Sequence, residues 1–76
     1  MNKYTINFPS GSKAFYDGGD LHREDGPAIE GYNGGGTYWF LHGYKLNLEE
    51  SINDPKLQAK YPKLIEAMII YLVHES

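Results

Sequence analysis

The sequence contains no cysteine. No disulfide can staple the chain and no thiolate can bind a metal, which fits a reducing compartment. Cations are scarce, with seven Lys and Arg against ten Asp and Glu and a formal charge of −3. That balance argues against non-specific nucleic-acid binding, which needs a basic face to displace counterions. Long hydrophobic runs are missing as well. The longest, Ala67 to Val73, is far too short to cross a bilayer. Met1 to Phe8 has one Lys and no apolar centre, so it does not read as a secretory leader. Soluble, cytoplasmic residence is the expectation. Seventy-six residues make a single domain (1–76) near the size where one core barely outweighs ordering entropy. A partner subunit is then a common source of further burial.

Aromatic residues are plentiful: seven Tyr, three Phe and one Trp. They supply much buried area per residue. Tyr4-Thr5-Ile6-Asn7-Phe8 alternates in the strand period, with Tyr4, Ile6 and Phe8 on one face. Pro9 to Ser12 turns into a second strand, Lys13 to Tyr16. Asp17-Gly18-Gly19-Asp20 turns again into Leu21-His22. Asp25-Gly26-Pro27 marks a tight turn or bulge before a third strand, Ala28 to Tyr32. Asn33 to Gly36 is a hairpin loop, and Thr37 to Leu41 has the highest strand propensity in the chain. His42-Gly43 turns it into Tyr44 to Leu46.

From Asn47 the pattern becomes helical. Asn47 with Glu50 spells a capping box, and Asp54-Pro55 restarts a helix with a cap and a proline at its first position. Tyr61-Pro62 interrupts it. Lys63 to His74 is a long helix with Leu64, Ile65, Met68, Ile69, Leu72 and Val73 on one face. Ala67, Ile70 and Tyr71 widen that face, so it either covers a sheet or forms a homodimer seam through this C-terminal helix. The fold class is therefore α+β: a four- to five-stranded antiparallel β-meander (1–47), then a helical segment (48–76) whose last helix packs on the sheet.

Residues 11–22 align without gaps on 36–47, an offset of 25 residues. Gly11 matches Gly36, Phe15 matches Phe40, Gly18 matches Gly43 and Leu21 matches Leu46. Each unit is strand, glycine turn, short strand. From this match Phe15, Leu21, Phe40 and Leu46 are expected in the core, with Thr37, Trp39 and Leu41 on the opposite face.

The string Leu21-His22-Arg23-Glu24-Asp25-Gly26-Pro27-Ala28, followed by Gly36 to Leu46, resembles the LHRxDGPA repeats of small phage and large-DNA-virus proteins, which are loosely similar to MORN-type β-hairpin repeats. The pattern usually has Asn where His42 stands. The resemblance implies a twisted antiparallel sheet and a viral origin. It further implies a small inhibitor of a host bacterial defence protein, of the anti-CRISPR or anti-defence type, acting in the host cytoplasm without catalysis. Two alternatives accompany it. One is an oligomeric protein that sequesters a nucleotide signal, its aromatic rings stacking a base while Arg23 and glycine-loop amides hold phosphate. The other is a structural MORN-like interaction module.

Arg23, Asp25, Tyr38, Trp39 and Tyr44 are the candidate binding residues. Arg23 suits phosphate or carboxylate, and exposed Trp and Tyr dominate interface hot spots. Asp25 equally suits the turn at Gly26, and Arg23 a bridge between hairpins. A structural role for the segment is favoured over catalysis. His22 and His42, with Asp17, Asp20 and Asp25 nearby, follow no metal-ligand spacing, so neither metal nor cofactor is expected. No Ser sits in a nucleophile elbow, and no enzyme activity is expected.

Overall fold

The computed structural model describes residues 2–31 and 36–75. The end of the expected third strand at Tyr32 and most of the Asn33–Gly36 loop lie outside the described residues. The elements run β1 (Lys3–Asn7), β2 (Lys13–Asp17), β3 (Asp20–Leu21), β4 (Ile29–Glu30), β5 (Phe40–Leu41), β6 (Tyr44–Lys45), α1 (Leu48–Ile52), α2 (Pro55–Lys60) and α3 (Pro62–Glu75). All pairings are antiparallel, and the chain is an α+β fold.

β2 is the central strand. One edge pairs along its full length with β1, from Lys3 opposite Asp17 to Asn7 opposite Lys13. The other edge is shared by two short strands laid end to end. Tyr16 and Asp17 face β3, while Lys13 and Ala14 face β4. Residues 22–28 are thus thrown out of what would otherwise be one strand. The strand expected over Thr37–Leu41 is broken too. Tyr38 bridges to Ile29 in the first sheet, whereas Phe40 and Leu41 pair with β6 in a second, two-stranded sheet. The His42-Gly43 turn has φ of 52° and 83°, the left-handed pair that a two-residue hairpin needs.

The helices begin as their caps dictate. Asn47 Oδ1 accepts from the Glu50 N–H at 3.0 Å, and Asp54 Oδ1 accepts from the Lys56 N–H at 2.9 Å, with Pro55 at the first helical position. Pro62 then forces a break and opens α3.

The core is not where the repeat places it. Its buried members are Trp39, Leu41, Tyr61, Leu64, Ile65 and Met68. Phe15, Leu21, Phe40 and Leu46 are only half-buried, although Leu46 packs against the cluster from its side. Trp39 is 3% exposed, so it is an internal residue rather than an open binding surface. The reason is size. Alternation puts Trp39 and Leu41 on one side of their strand and Tyr38 on the other. The helices close over the side carrying the indole, whose ring meets Tyr71 edge-on at 5.8 Å. On α3 the buried line is Leu64, Ile65 and Met68, while Ile69 and Val73, expected on the same face, are exposed.

Trp39→Ala should therefore destabilise the fold by about 3–5 kcal/mol, whereas Phe40→Ala should cost under about half of that. Urea titration followed by far-UV circular dichroism distinguishes the two. Equal costs would mean that the repeat-based core is the right one after all.

Candidate functional site

The 22–28 loop is opened and closed by one residue. Phe15 donates its N–H to the Ala28 carbonyl at 2.7 Å and accepts the His22 N–H at 3.0 Å. Between these bonds the loop folds back over the Phe15 ring. The Arg23 guanidinium carbon lies 4.0 Å from the ring centroid, a cation–π contact. Arg23 Nε donates to Asp25 at 2.9 Å, and Nη1 donates to the Pro27 carbonyl at 3.2 Å and to Glu30 at 2.7 Å. Burial disfavours the charged form, but the bonds and charges of Asp25 and Glu30 outweigh it and raise the Arg23 pKa above its ordinary value. The guanidinium stays charged throughout.

Gly26 is needed for that fold-back. A Cβ there would stand 2.8 Å from the guanidinium carbon, closer than real contacts allow. Its backbone is buried beneath the arginine.

His22 is 4% exposed and locks the loop to the second hairpin. Its Nδ1 accepts the His42 N–H at 2.9 Å. The proton therefore resides on Nε2, which donates to Glu24 at 2.8 Å. The two imidazoles lie 4.4 Å apart. His42 stays in the left-handed region although it is not glycine, held there partly by this bond. His22 is thus used up structurally. Among the described residues, no group of three or more His, Cys, Asp or Glu is placed to hold a metal ion.

The register of the first sheet sorts its two faces. Tyr4–Tyr16–Leu21 forms one cross-strand row and Ile6–Ala14–Ile29–Tyr38 the next. Directly opposed residues share a face, so both rows lie together. Neither contains a charge. Tyr4 stacks on Tyr16 with centroids 5.2 Å apart. None of these side chains belongs to the buried core cluster, and Tyr4, Ile6 and Tyr38 remain 38–45% exposed, as does Phe8 just beyond β1. The opposite rows are Lys3–Asp17–Asp20, Thr5–Phe15 and Asn7–Lys13–Glu30. That polar face carries the Arg23 loop and lies toward the helices. Between them runs a cleft of about 610 Å³, bounded by residues 3–5, Phe15 and Tyr16, the His22–Asp25 segment and Lys60–Lys63; Tyr4 and Tyr16 thus border it as well as the apolar rows.

The candidate residues separate accordingly. Arg23 and Asp25 are joined in the cleft wall. Tyr38 lies on the apolar face, with Lys45 Nζ 4.8 Å from its ring centroid. Tyr44 is 77% exposed on β6. Trp39 belongs to the core, and its buried indole N–H has no acceptor. Sequence reasoning missed the cleft cations Lys3, Lys60 and Lys63. No local signal groups them, since they stand in separate elements. No protein-family model, curated protein or solved structure matches the chain. Among the described residues, no helix is long and apolar enough to cross a membrane.

The Arg23 fork depends on planar geometry that lysine lacks. Arg23→Lys should cost about 1–2 kcal/mol, and Glu30→Gln, which removes one partly exposed partner, under about 1 kcal/mol. Denaturant midpoints measure both; a neutral Arg23→Lys would show that the network does not brace the loop.

Proposed function

We propose that the protein is a non-catalytic binding protein that docks its uncharged sheet face onto a protein partner. The observation that carries this reading is the exposure of Tyr4, Ile6 and Tyr38 in two rows without charge, in a chain of which 22% is charged. Four strand positions at about 4.8 Å and some five residues at about 3.3 Å give roughly 300 Å² in plan. That is the size of the largest apolar patches on monomers, which mark interaction sites. Tyrosine supplies much of it, and tyrosine anchors interfaces at low entropic cost. The absence of charge on this face suits an apolar partner surface better than a charged one. The viral resemblance of the Leu21–Ala28 segment gives the partner's kind: a host defence protein, met in the cytoplasm of an infected cell.

Ile6→Thr with Tyr38→Thr keeps strand-forming residues while removing apolar area. A partner captured from host lysate and then purified should bind this variant at least about tenfold more weakly. A folded variant with unchanged affinity for that partner would sink the proposal.

A second reading rests on α3. Ile69 and Ile70 are 46% and 52% exposed and, with Pro62 and Ile65, line a shallow groove of about 350 Å³. This supports the homodimer seam expected through the C-terminal helix. Light scattering should then report a dimer that Ile70→Lys converts to monomer. A wild-type monomer at tens of micromolar would remove this reading.

A further inference from the structure

The first sheet keeps one strand edge open. β1 ends the strand order, and among the described residues only β2 pairs with it. Sheets ordinarily blunt such an edge with short strands, bulges, prolines or charge, because unpaired backbone groups recruit another strand. β3 and β4, on the other side of β2, are two residues each. β1 instead runs five residues in unbroken one-to-one register with β2, without proline, and all five are exposed. Its single charge is Lys3, at its start.

Which backbone groups face outward follows from the ladder. Phe8 donates its N–H to the Ser12 carbonyl at 3.0 Å, and the Asn2 carbonyl accepts from the Gly18 N–H at 2.9 Å. Antiparallel strands exchange such bonds at alternate residues. Tyr4 and Ile6 therefore spend their backbone groups on β2, while Lys3, Thr5 and Asn7 turn theirs to the open edge.

That pattern is complementary to itself. A second copy can lie antiparallel with Thr5 opposite its own counterpart. Thr5 then exchanges both backbone bonds with Thr5 of the copy, and Lys3 exchanges both with Asn7 of the copy. The side chains agree with this register. Tyr4 meets Ile6 of the copy at the closer, non-hydrogen-bonded kind of position, an aromatic opposite a β-branched residue. Lys3 meets Asn7 rather than another lysine. A slip of one residue would set outward groups against inward ones and apolar side chains against polar. A slip of two would leave only residues 3–5 or 5–7 paired. With Thr5 on the two-fold axis, the row Leu21–Tyr16–Tyr4 also runs on into Ile6, Ala14, Ile29 and Tyr38 of the copy.

We propose that β1 pairs edge to edge with β1 of a second copy, joining two sheets into one across a two-fold axis at Thr5. The bonds are backbone bonds and Thr5 lies on the polar face, so the pairing stands whether or not a protein docks on the apolar rows. It is also distinct from the seam on α3. The contact is small, one strand from each chain, so the dimer is reversible.

Sedimentation velocity on the full chain from about 10 μM to about 1 mM should show a monomer–dimer equilibrium. Amide hydrogen exchange locates it. The N–H groups of Lys3, Thr5 and Asn7 should exchange more slowly as concentration rises, while those of Tyr4 and Ile6 are protected already in dilute solution. Thr5→Pro removes an outward donor and keeps every bond to β2, and an edge strand accepts proline where its nitrogen faces solvent. It should weaken the dimer at least about tenfold with far-UV circular dichroism unchanged. Thr5→Lys should weaken it too, by setting like charges opposite each other without touching the backbone. Ile70→Lys should leave this dimer intact. A monomer up to about 1 mM, a dimer unmoved by Thr5→Lys, or concentration-dependent protection that misses Lys3, Thr5 and Asn7 would overturn the pairing. Protection of those amides only when another protein is added would overturn the second copy in favour of a foreign strand.

Discussion

Two hydrogen bonds from one residue organise this molecule. Phe15 spends its N–H on Ala28 and its carbonyl on His22, so the six residues after Leu21 up to Pro27 must leave the sheet and return to it. Where they go is set by the Phe15 ring, which points to the polar face and draws Arg23 over itself. Gly26 gives the arginine room, Asp25 and Glu30 neutralise it from two sides, and His22 ties the loop to the next hairpin through His42. Each device would be weak alone. Exposed ion pairs contribute little, and a single hydrogen bond nets about 1 kcal/mol. Here they share one guanidinium and one ring, so loosening any of them loosens the rest.

The same constraint decides what stays uncovered. With the loop on the polar face, the helices cannot lie flat on the sheet there. They pack beyond it, on Trp39 and Leu41, and leave a gap that is the cleft. Among the described residues, no helix lies over the other face, where Tyr4, Ile6 and Tyr38 stay exposed. The molecule is accordingly a slab, 36 × 34 × 16 Å. A small domain ordinarily seeks every apolar contact it can make, since its burial is marginal against ordering entropy. Leaving Tyr4, Ile6, Phe8 and Tyr38 in water forgoes such contacts. A partner docked on that face, as proposed, would recover them.

Local chemistry was legible in the sequence; long-range choice was not. The caps at Asn47 and Asp54, the proline starts of α2 and α3, and the glycine turns follow from residue type and appear as written. The alternation of Tyr4 and Ile6 gives one face of β1, while Phe8, expected with them, lies just past the strand's end at Asn7. What periodicity cannot give is which face a helix will cover. The match of Phe15 with Phe40 and Leu21 with Leu46 reflects equal places in two hairpins, not equal burial. In the first unit Phe15 carries an arginine; in the second the neighbouring Trp39 takes the core. Arg23 and Asp25 were visible as a pair because they adjoin. Lys3, Lys60 and Lys63 were not, because only the tertiary fold brings them together.

β2 alternates between the two faces of its sheet, and Tyr4 and Tyr16 of the apolar rows also border the cleft. Phe15 faces the cleft, while Ala14 and Tyr16 face the apolar rows. Transmitting a change from one face to the other would need a strand with two arrangements of similar energy. β2 is poorly suited to that. It is paired on both edges, and Phe15 is pinned at 2.7 Å and 3.0 Å by the loop it supports. Shifting its register by one residue would turn Ala14 and Tyr16 toward the cations and put Phe15 among the apolar rows. The penalty falls on both faces at once. The register of β2 is therefore held from both faces, and the strand acts as a rigid partition between them.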